Sequence, residues 1–225
     1  MSTRSPLLIA AMTALMLVAA LLIASTAASG ADVPRRPPCT ITGTNGPDTL
    51  VGTSGPDVIC GLGAHDNIRA KAGDDIVYGG KGRDAIYGGR GDDSLYGGRQ
   101  GDVLHGNRGQ DVLRGQGGGD ALSGNKGDDL VIGGRCLDHA RGGPGADEIR
   151  TGPGNDFQVF GDRGSDTIWT GPGDDTCIIV IDGLGNDVVN GGPGTDEVGI
   201  DPGDRTHEVE HVTYDVQALH CATGP

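Results

Sequence analysis

An aspartate returns at every ninth residue over more than a hundred residues: Asp48, Asp57, Asp66, Asp75, Asp84, Asp93, Asp102, Asp111, Asp120, Asp129, Asp138, Asp147 and Asp156. After one extra residue, Phe160, the series resumes with Asp166 and Asp175, and after a three-residue insertion with Asp187 and Asp196. Seventeen carboxylates in one row position are no compositional accident. Carboxylate oxygens are hard ligands, so their chemistry is that of a divalent cation site. A second constellation lies near the end of the chain. His207-Glu208-Val209-Glu210-His211 matches H-E-x-x-H, in which two histidines one helical turn apart hold zinc and the glutamate acts as general base.

The elements that must position these groups follow from the rows of nine. Counting from Gly43, the fourth position is Gly except at Ala64, Gln100 and Cys136. The eighth is Leu, Ile or Val except at Ala140, Gln158 and Cys177. Rows such as GGRGDDSLY (88–96) and GGPGADEIR (142–150) carry the whole pattern. It resembles the RTX (haemolysin-type) calcium-binding nonapeptide GGxGxDxUx, with U a large aliphatic residue, over roughly residues 43–199. The resemblance implies an all-β fold, a right-handed parallel β-roll (a β-helix or solenoid) of the serralysin type. Two rows form each coil, and seventeen rows give about eight and a half coils. Within a row, glycine's access to positive φ suits the first six residues to a tight turn. The last three, x-U-x, suit a very short strand with U facing inward.

Stacking of alternate rows places Asp48, Asp66, Asp84, Asp102, Asp120, Asp138 and Asp156 in one file and Asp57, Asp75, Asp93, Asp111, Asp129 and Asp147 in another. Neighbours in a file should lie about 4.8 Å apart, where bare carboxylates repel by roughly 1 kcal/mol in water and about 3 kcal/mol at an effective dielectric of 20. A cation between turns relieves this. Ca2+ suits it, accepting six to eight carboxylate and carbonyl oxygens in loose geometry, whereas Mg2+ demands a small octahedron. All seventeen aspartates, Asp166, Asp175, Asp187 and Asp196 included, are therefore candidate side-chain ligands for several Ca2+ ions, with turn carbonyls completing each site. One inward side chain per row buries too little apolar surface to offset the entropy of ordering the rest. The metal-free chain is accordingly expected to be largely disordered and to fold on binding calcium.

Composition narrows the function classes. With 17 basic against 31 acidic residues the net charge is −14, which disfavours nucleic acid as a partner. Leu7 to Ala24 is apolar and uncharged, Arg4 precedes it, and small residues run on to Ala31. That is the layout of a secretory signal peptide cleaved between Ala27 and Asp32, the rival reading being a retained membrane anchor. Residues 1–30 are thus read as a signal peptide, 31–42 as a linker and N-terminal cap, 43–199 as the repeat domain and 200–225 as a C-terminal capping tail. No second apolar segment follows, so no membrane span is expected after cleavage, and the protein is expected to be secreted. Five cysteines, Cys39, Cys60, Cys136, Cys177 and Cys221, all follow the apolar run, and export makes disulfides reasonable. Cys39 with Cys60 and Cys177 with Cys221 are the pairings considered, but spacing leaves the connectivity open.

Cations occupy the third position in six rows, at Lys81, Arg90, Arg99, Arg108, Lys126 and Arg135. They either replace calcium or simply project into water, the commoner behaviour of exposed charge. Tyr78, Tyr87 and Tyr96 share the ninth position, where only Tyr78 and Tyr96 fall on the same face.

Some RTX-bearing exoproteins are zinc metalloproteases, which gives the HEVEH segment a hearing. Against it, the segment is rich in β-branched residues, its tail is too short for a cleft, and Tyr214 and Gln217 stand where the metzincin extension has Gly and a third His. Glu208 to Val212 is read instead as a strand closing the array, and no enzymatic activity is expected. The roles left open are a structural or adhesive one, with a cell surface, a glycan or a protein as partner, and calcium buffering without one.

Overall fold

A computed structural model describes residues 36–214. The signal-peptide reading of residues 1–30 lies outside them, as does Cys221. Residues 38–214 form one compact unit. Among the described residues no helix is long and apolar enough to cross a membrane.

Successive strands alternate between two parallel sheets of ten strands each, every strand pairing with the one a full coil further on. The register is that of the repeat, with Val77 opposite Leu95 and Tyr78 opposite Tyr96 in the first sheet, and Ile86 opposite Leu104 in the second. Each coil is therefore eighteen residues, as two rows of nine require.

The division of a row into turn and strand differs from the sequence expectation. Strands such as Ile76–Lys81 and Ala85–Arg90 run for six residues, joining positions seven to nine of one row to the first three of the next. The turn shrinks to positions four to six, Gly82 to Asp84 here. The reason is that the Gly-Gly half of the row pairs as well as the aliphatic half, Gly80 with Gly98 and Lys81 with Arg99, since backbone donors and acceptors of stacked coils meet whatever side chain they carry. Glycine is required at the turn itself. Gly82 has φ +126°, and a Cβ there would collide with the carbonyl of Ala64 one coil earlier. Gln100 and Cys136 hold the same position in the left-handed region without that freedom, at φ 74° and 86°, a conformation that costs a non-glycine residue roughly 1–2 kcal/mol.

The eighth-position side chains fill the space between the sheets. Ile59, Val77, Leu95, Leu113 and Val131 of the first sheet and Ile68, Ile86 and Leu104 of the second are fully buried. Two of the apparent exceptions dissolve in the structure. Gln158 and Cys177 sit at φ 61° and 59° as β-bulges, and Val159 and Ile178 take the inward place, in register with each other and with Ala140 and Val198. The extra residue is thus Gln158 within the strand rather than Phe160 after it, because a bulge opposes two residues to one. Ala140 remains the one short core position among these rows.

The stack outgrows the repeats at both ends. Ile41–Thr42 adds a strand before the first full coil, and the Cys39–Cys60 disulfide, with Cα atoms 6.0 Å apart, ties it down. At the other end the expected single closing strand is two: Arg205–His207 joins the first sheet and His211–Thr213 the second, with Glu208 at φ 51° between them. These additions raise the count to about ten coils. Cys177 is disulfide-bonded and Cys136 is free and exposed.

Candidate metal centre

Both aspartate files form as the row spacing predicts. The backbone N–H of Asp48 donates to Asp66 Oδ1 at 2.8 Å, that of Asp66 to Asp84 Oδ1 at 2.8 Å, and so on along the file to Asp156, Asp175 and Asp196. The second file runs from Asp57 through Asp75, Asp93, Asp111, Asp129 and Asp147 to Asp166 and Asp187 in the same way. All seventeen predicted residues are in the two files. The carboxylates are not bare, however: from Asp66 and Asp75 onward each Oδ1 takes an amide hydrogen from the preceding coil, which offsets part of the mutual repulsion.

Two members of the files have no counterpart in the sequence reading. The Asp187 N–H donates to Asp204 Oδ1 at 3.0 Å, and the Asp196 N–H to Glu210 Oε2 at 2.9 Å. Asp204 and Glu210 thus close the files seventeen and fourteen residues on, off the regular spacing. Asp204 was discoverable as an acidic residue directly before a three-residue strand; Glu210 lay inside the HEVEH motif. At the opposite end the Thr40 hydroxyl donates to Asp57 Oδ1 at 3.3 Å.

The second carboxylate oxygens set the first member of each file apart from the rest. Asp48 and Asp57 Oδ2 accept the amides of Thr44 and Thr53, both at 2.6 Å, and the Thr53 amide holds Asp57 below the usual carboxylate range. The fifteen from Asp66 to Asp196 have buried Oδ2 atoms with no hydrogen-bond partner. Burial pushes these groups up, against the backbone hydrogen bonds that pull them down: Asp102, Asp138 and Asp147 to about 8, Asp93, Asp111 and Asp187 to about 7. Charge on neighbouring aspartates adds to the rise. Fifteen orphaned anionic oxygens in two lines ask for protons or cations.

The surroundings of those oxygens suit a cation. In eleven of the fifteen the Oδ2 sits against the first glycine of its own row, where the missing side chain leaves a cradle; the rows of Asp75, Asp156, Asp175 and Asp187 begin instead with Ala70, Thr151, Thr170 and Asp182. A Cβ on Gly79 would lie 2.5 Å from Asp84 Oδ2 and 2.6 Å from the carbonyl oxygen of Gly97 in the next coil. Two electron-rich oxygens of different coils thus face one small space. In two rows a hydroxyl fills it: Thr151 Oγ1 donates to the Thr170 carbonyl at 3.0 Å, and Thr170 Oγ1 to that of Gly191 at 2.9 Å. Outside the first file, Asp84, Asp102 and Asp120 line an open cleft of about 640 Å³ together with Gly101 and Gly119.

A donor set made only of carboxylate and carbonyl oxygens, buried and unsatisfied, fits Ca2+. Among the described residues no three His, Cys, Asp or Glu side chains converge as a metal cluster, so backbone oxygens must supply much of any coordination shell. The third-position cations leave these oxygens alone: Lys81, Arg90, Arg99, Arg108, Lys126 and Arg135 are all exposed at strand ends. The HEVEH histidines are separated, His207 opposite Asn190 in the first sheet and His211 opposite Glu197 in the second. The helical spacing that makes H-E-x-x-H a zinc site is absent.

Seven segments, 42–77, 61–95, 69–104, 96–131, 137–157, 158–178 and 179–201, match the RTX calcium-binding nonapeptide repeat (4 copies), together spanning well over half of the chain. Comparison with individual curated proteins returns no match.

Proposed function

The chain belongs to the RTX calcium-binding nonapeptide repeat family, and from that premise we propose that it is an exported protein that folds on binding several Ca2+ ions and serves a structural, adhesive or interaction role. The observation that carries the metal-dependent part is the double line of fifteen buried Oδ2 atoms without partners. The aspartates from Asp48 to Asp196 supply carboxylate oxygens, and turn and strand-end carbonyls supply the rest. Bound Ca2+ contributes the positive charge that the files lack. The protein's own part is to hold the oxygens of successive coils in register and, through the Oδ1 ladder, to keep the carboxylates from turning into solvent.

Export rests on the signal-like residues 1–30 and on the Cys39–Cys60 disulfide, a bond that persists in oxidising compartments. Catalysis forms no part of the proposal, since the HEVEH histidines stand on different sheets.

Circular dichroism of the chain titrated with calcium, with zinc in parallel, tests the reading. Calcium-dependent gain of β-structure and indifference to zinc support it; a spectrum unmoved by calcium overturns it.

A further inference from the structure

The outer face of the second sheet carries a continuous groove. One depression of about 410 Å³ lies between Arg69 and Arg108, and a second of about 640 Å³ between Arg108 and Arg163. Asn107 and Arg108 line both. A third, of about 180 Å³, opens over Ala121, Ser123 and the short core residue Ala140, and shares Ser123 and Arg141 with the second. Its walls include His105 and Phe160.

The charge of this groove opposes that of the molecule. Arg69, Lys71, Arg90, Arg108, Lys126 and Arg163 are exposed along it, in a chain of net charge −14. Arg90 stands directly opposite Arg108, and Arg108 opposite Lys126, on paired strands. Like charges in register cost stability rather than adding to it. Among the described residues none of these six cations forms an ion pair; the groove's ion pair is Arg141 with Asp162. Asp74, Asp92 and Asp128 on the adjacent turns accept the amides of Asp92, Gln110 and Ala146 at Oδ1.

The uncharged lining points to the kind of anion. Tyr87 and His105 stack face to face with centroids 5.2 Å apart and planes 9° from parallel, so their ring edges line the groove, and the Arg69 guanidinium lies over the Tyr87 ring at 5.9 Å. Asn107 and Asn125 each donate Nδ2 to a strand carbonyl, of His105 and Ser123, which turns their Oδ1 atoms outward as acceptors for hydroxyl groups. Arg90, Arg108 and Lys126 follow one another coil by coil at about 4.8 Å, with Pro144 standing before Arg163 in the same register, a spacing similar to the repeat of an extended chain of sugar rings and sparser than the charge of duplex DNA. We infer that this groove binds a linear acidic polysaccharide, one bearing a carboxylate on each ring. The cations meet the carboxylates, the asparagine oxygens the hydroxyls, and the polar edges of Tyr87 and His105 further hydroxyls.

The test is isothermal titration of the calcium-loaded full chain with a ten-ring polygalacturonate oligosaccharide, alongside a neutral dextran oligosaccharide and a deoxythymidine decamer, all at one calcium concentration. The expected result is binding of the polygalacturonate alone, weakening with salt. Arg108→Glu with Lys126→Glu should lose about tenfold or more in affinity, and Lys81→Glu with Arg99→Glu on the first sheet should change it less than about twofold. If the Glu pair loses its calcium-dependent circular dichroism, Arg108→Gln with Lys126→Gln is read instead. No binding, equal loss in the first-sheet pair, or equal or tighter binding of the decamer overturns the inference.

Discussion

Asp84 and Asp102, one coil apart, share a hydrogen bond that spends only half of a carboxylate: the Asp84 amide donates to Asp102 Oδ1 at 2.8 Å, and the Oδ2 of each residue is buried without a partner. The two oxygens of one side chain therefore do different work, one holding coils together and the other waiting for charge. That division can be separated by substitution.

Asp84→Asn keeps an oxygen for the Asp66 amide and replaces the orphaned Oδ2 with a donor that faces the Gly97 carbonyl. Calcium stoichiometry by equilibrium dialysis should fall, while β-structure in chelator should hold or increase. Asp84→Ala should instead weaken both states, since an unsatisfied buried amide costs about 1–3 kcal/mol; chemical denaturation distinguishes the two.

Thr151→Gly should reopen the cradle beside Asp156 that its hydroxyl now fills. The expected outcome is a gain in bound calcium and, in chelator at pH 4–5 where protonation favours the coil, faster amide exchange around residues 151–170. Unchanged exchange and stoichiometry would show that the hydroxyl and the ion do not compete for one place.

The raised aspartates give the metal-free coil a definite pH dependence. Their folded values, about 8 for Asp102, Asp138 and Asp147, exceed the ordinary 3.8. Folding therefore takes up protons, and the stabilisation is full below pH 3.8 and lost as pH rises through the folded values. In chelator, β-structure should be greater near pH 4–5 than near pH 8. With saturating calcium the order should reverse, because protons then compete with the ion. Thermal melts at both pH values, with and without calcium, check the pair of signs.

Glu210→Ala removes the carboxylate that accepts the Asp196 amide. The expected effect is local, about 1–2 kcal/mol, fraying the strand His211–Thr213 before the middle of the stack. Hydrogen exchange resolved by segment would detect it, and uniform destabilisation along the whole array would contradict it.

The files and the inward aliphatics are legible in the sequence because both depend on spacing alone. Strand length is not, since Gly79 and Gly80 carry no strand preference and pair only because another coil lies beside them. The bulges at Gln158 and Cys177 were hidden for a related reason: an inserted residue shifts the count equally whether it sits inside the strand or after it, and only the inward placement of Val159 and Ile178 decides. Asp204 and Glu210 escaped because the tail abandons the period while the backbone keeps the coil. His207 and His211 show the converse, a motif legible in the sequence whose geometry the fold does not build. The stack of Tyr87 on His105 required knowing both that the ninth position faces outward and that His105 shares its sheet.

The ladder has a direction. Every amide in a file looks to a carboxylate further along the chain, so each coil is completed by residues that are synthesised after it. A chain emerging from its N-terminus always presents an unfinished edge, one row of donors ahead of their acceptors, and Asp204 and Glu210 arrive last of all. The array resembles a zip whose stop is sewn on at the end: assembly can run ahead coil by coil, but nothing holds the leading edge until the tail has passed.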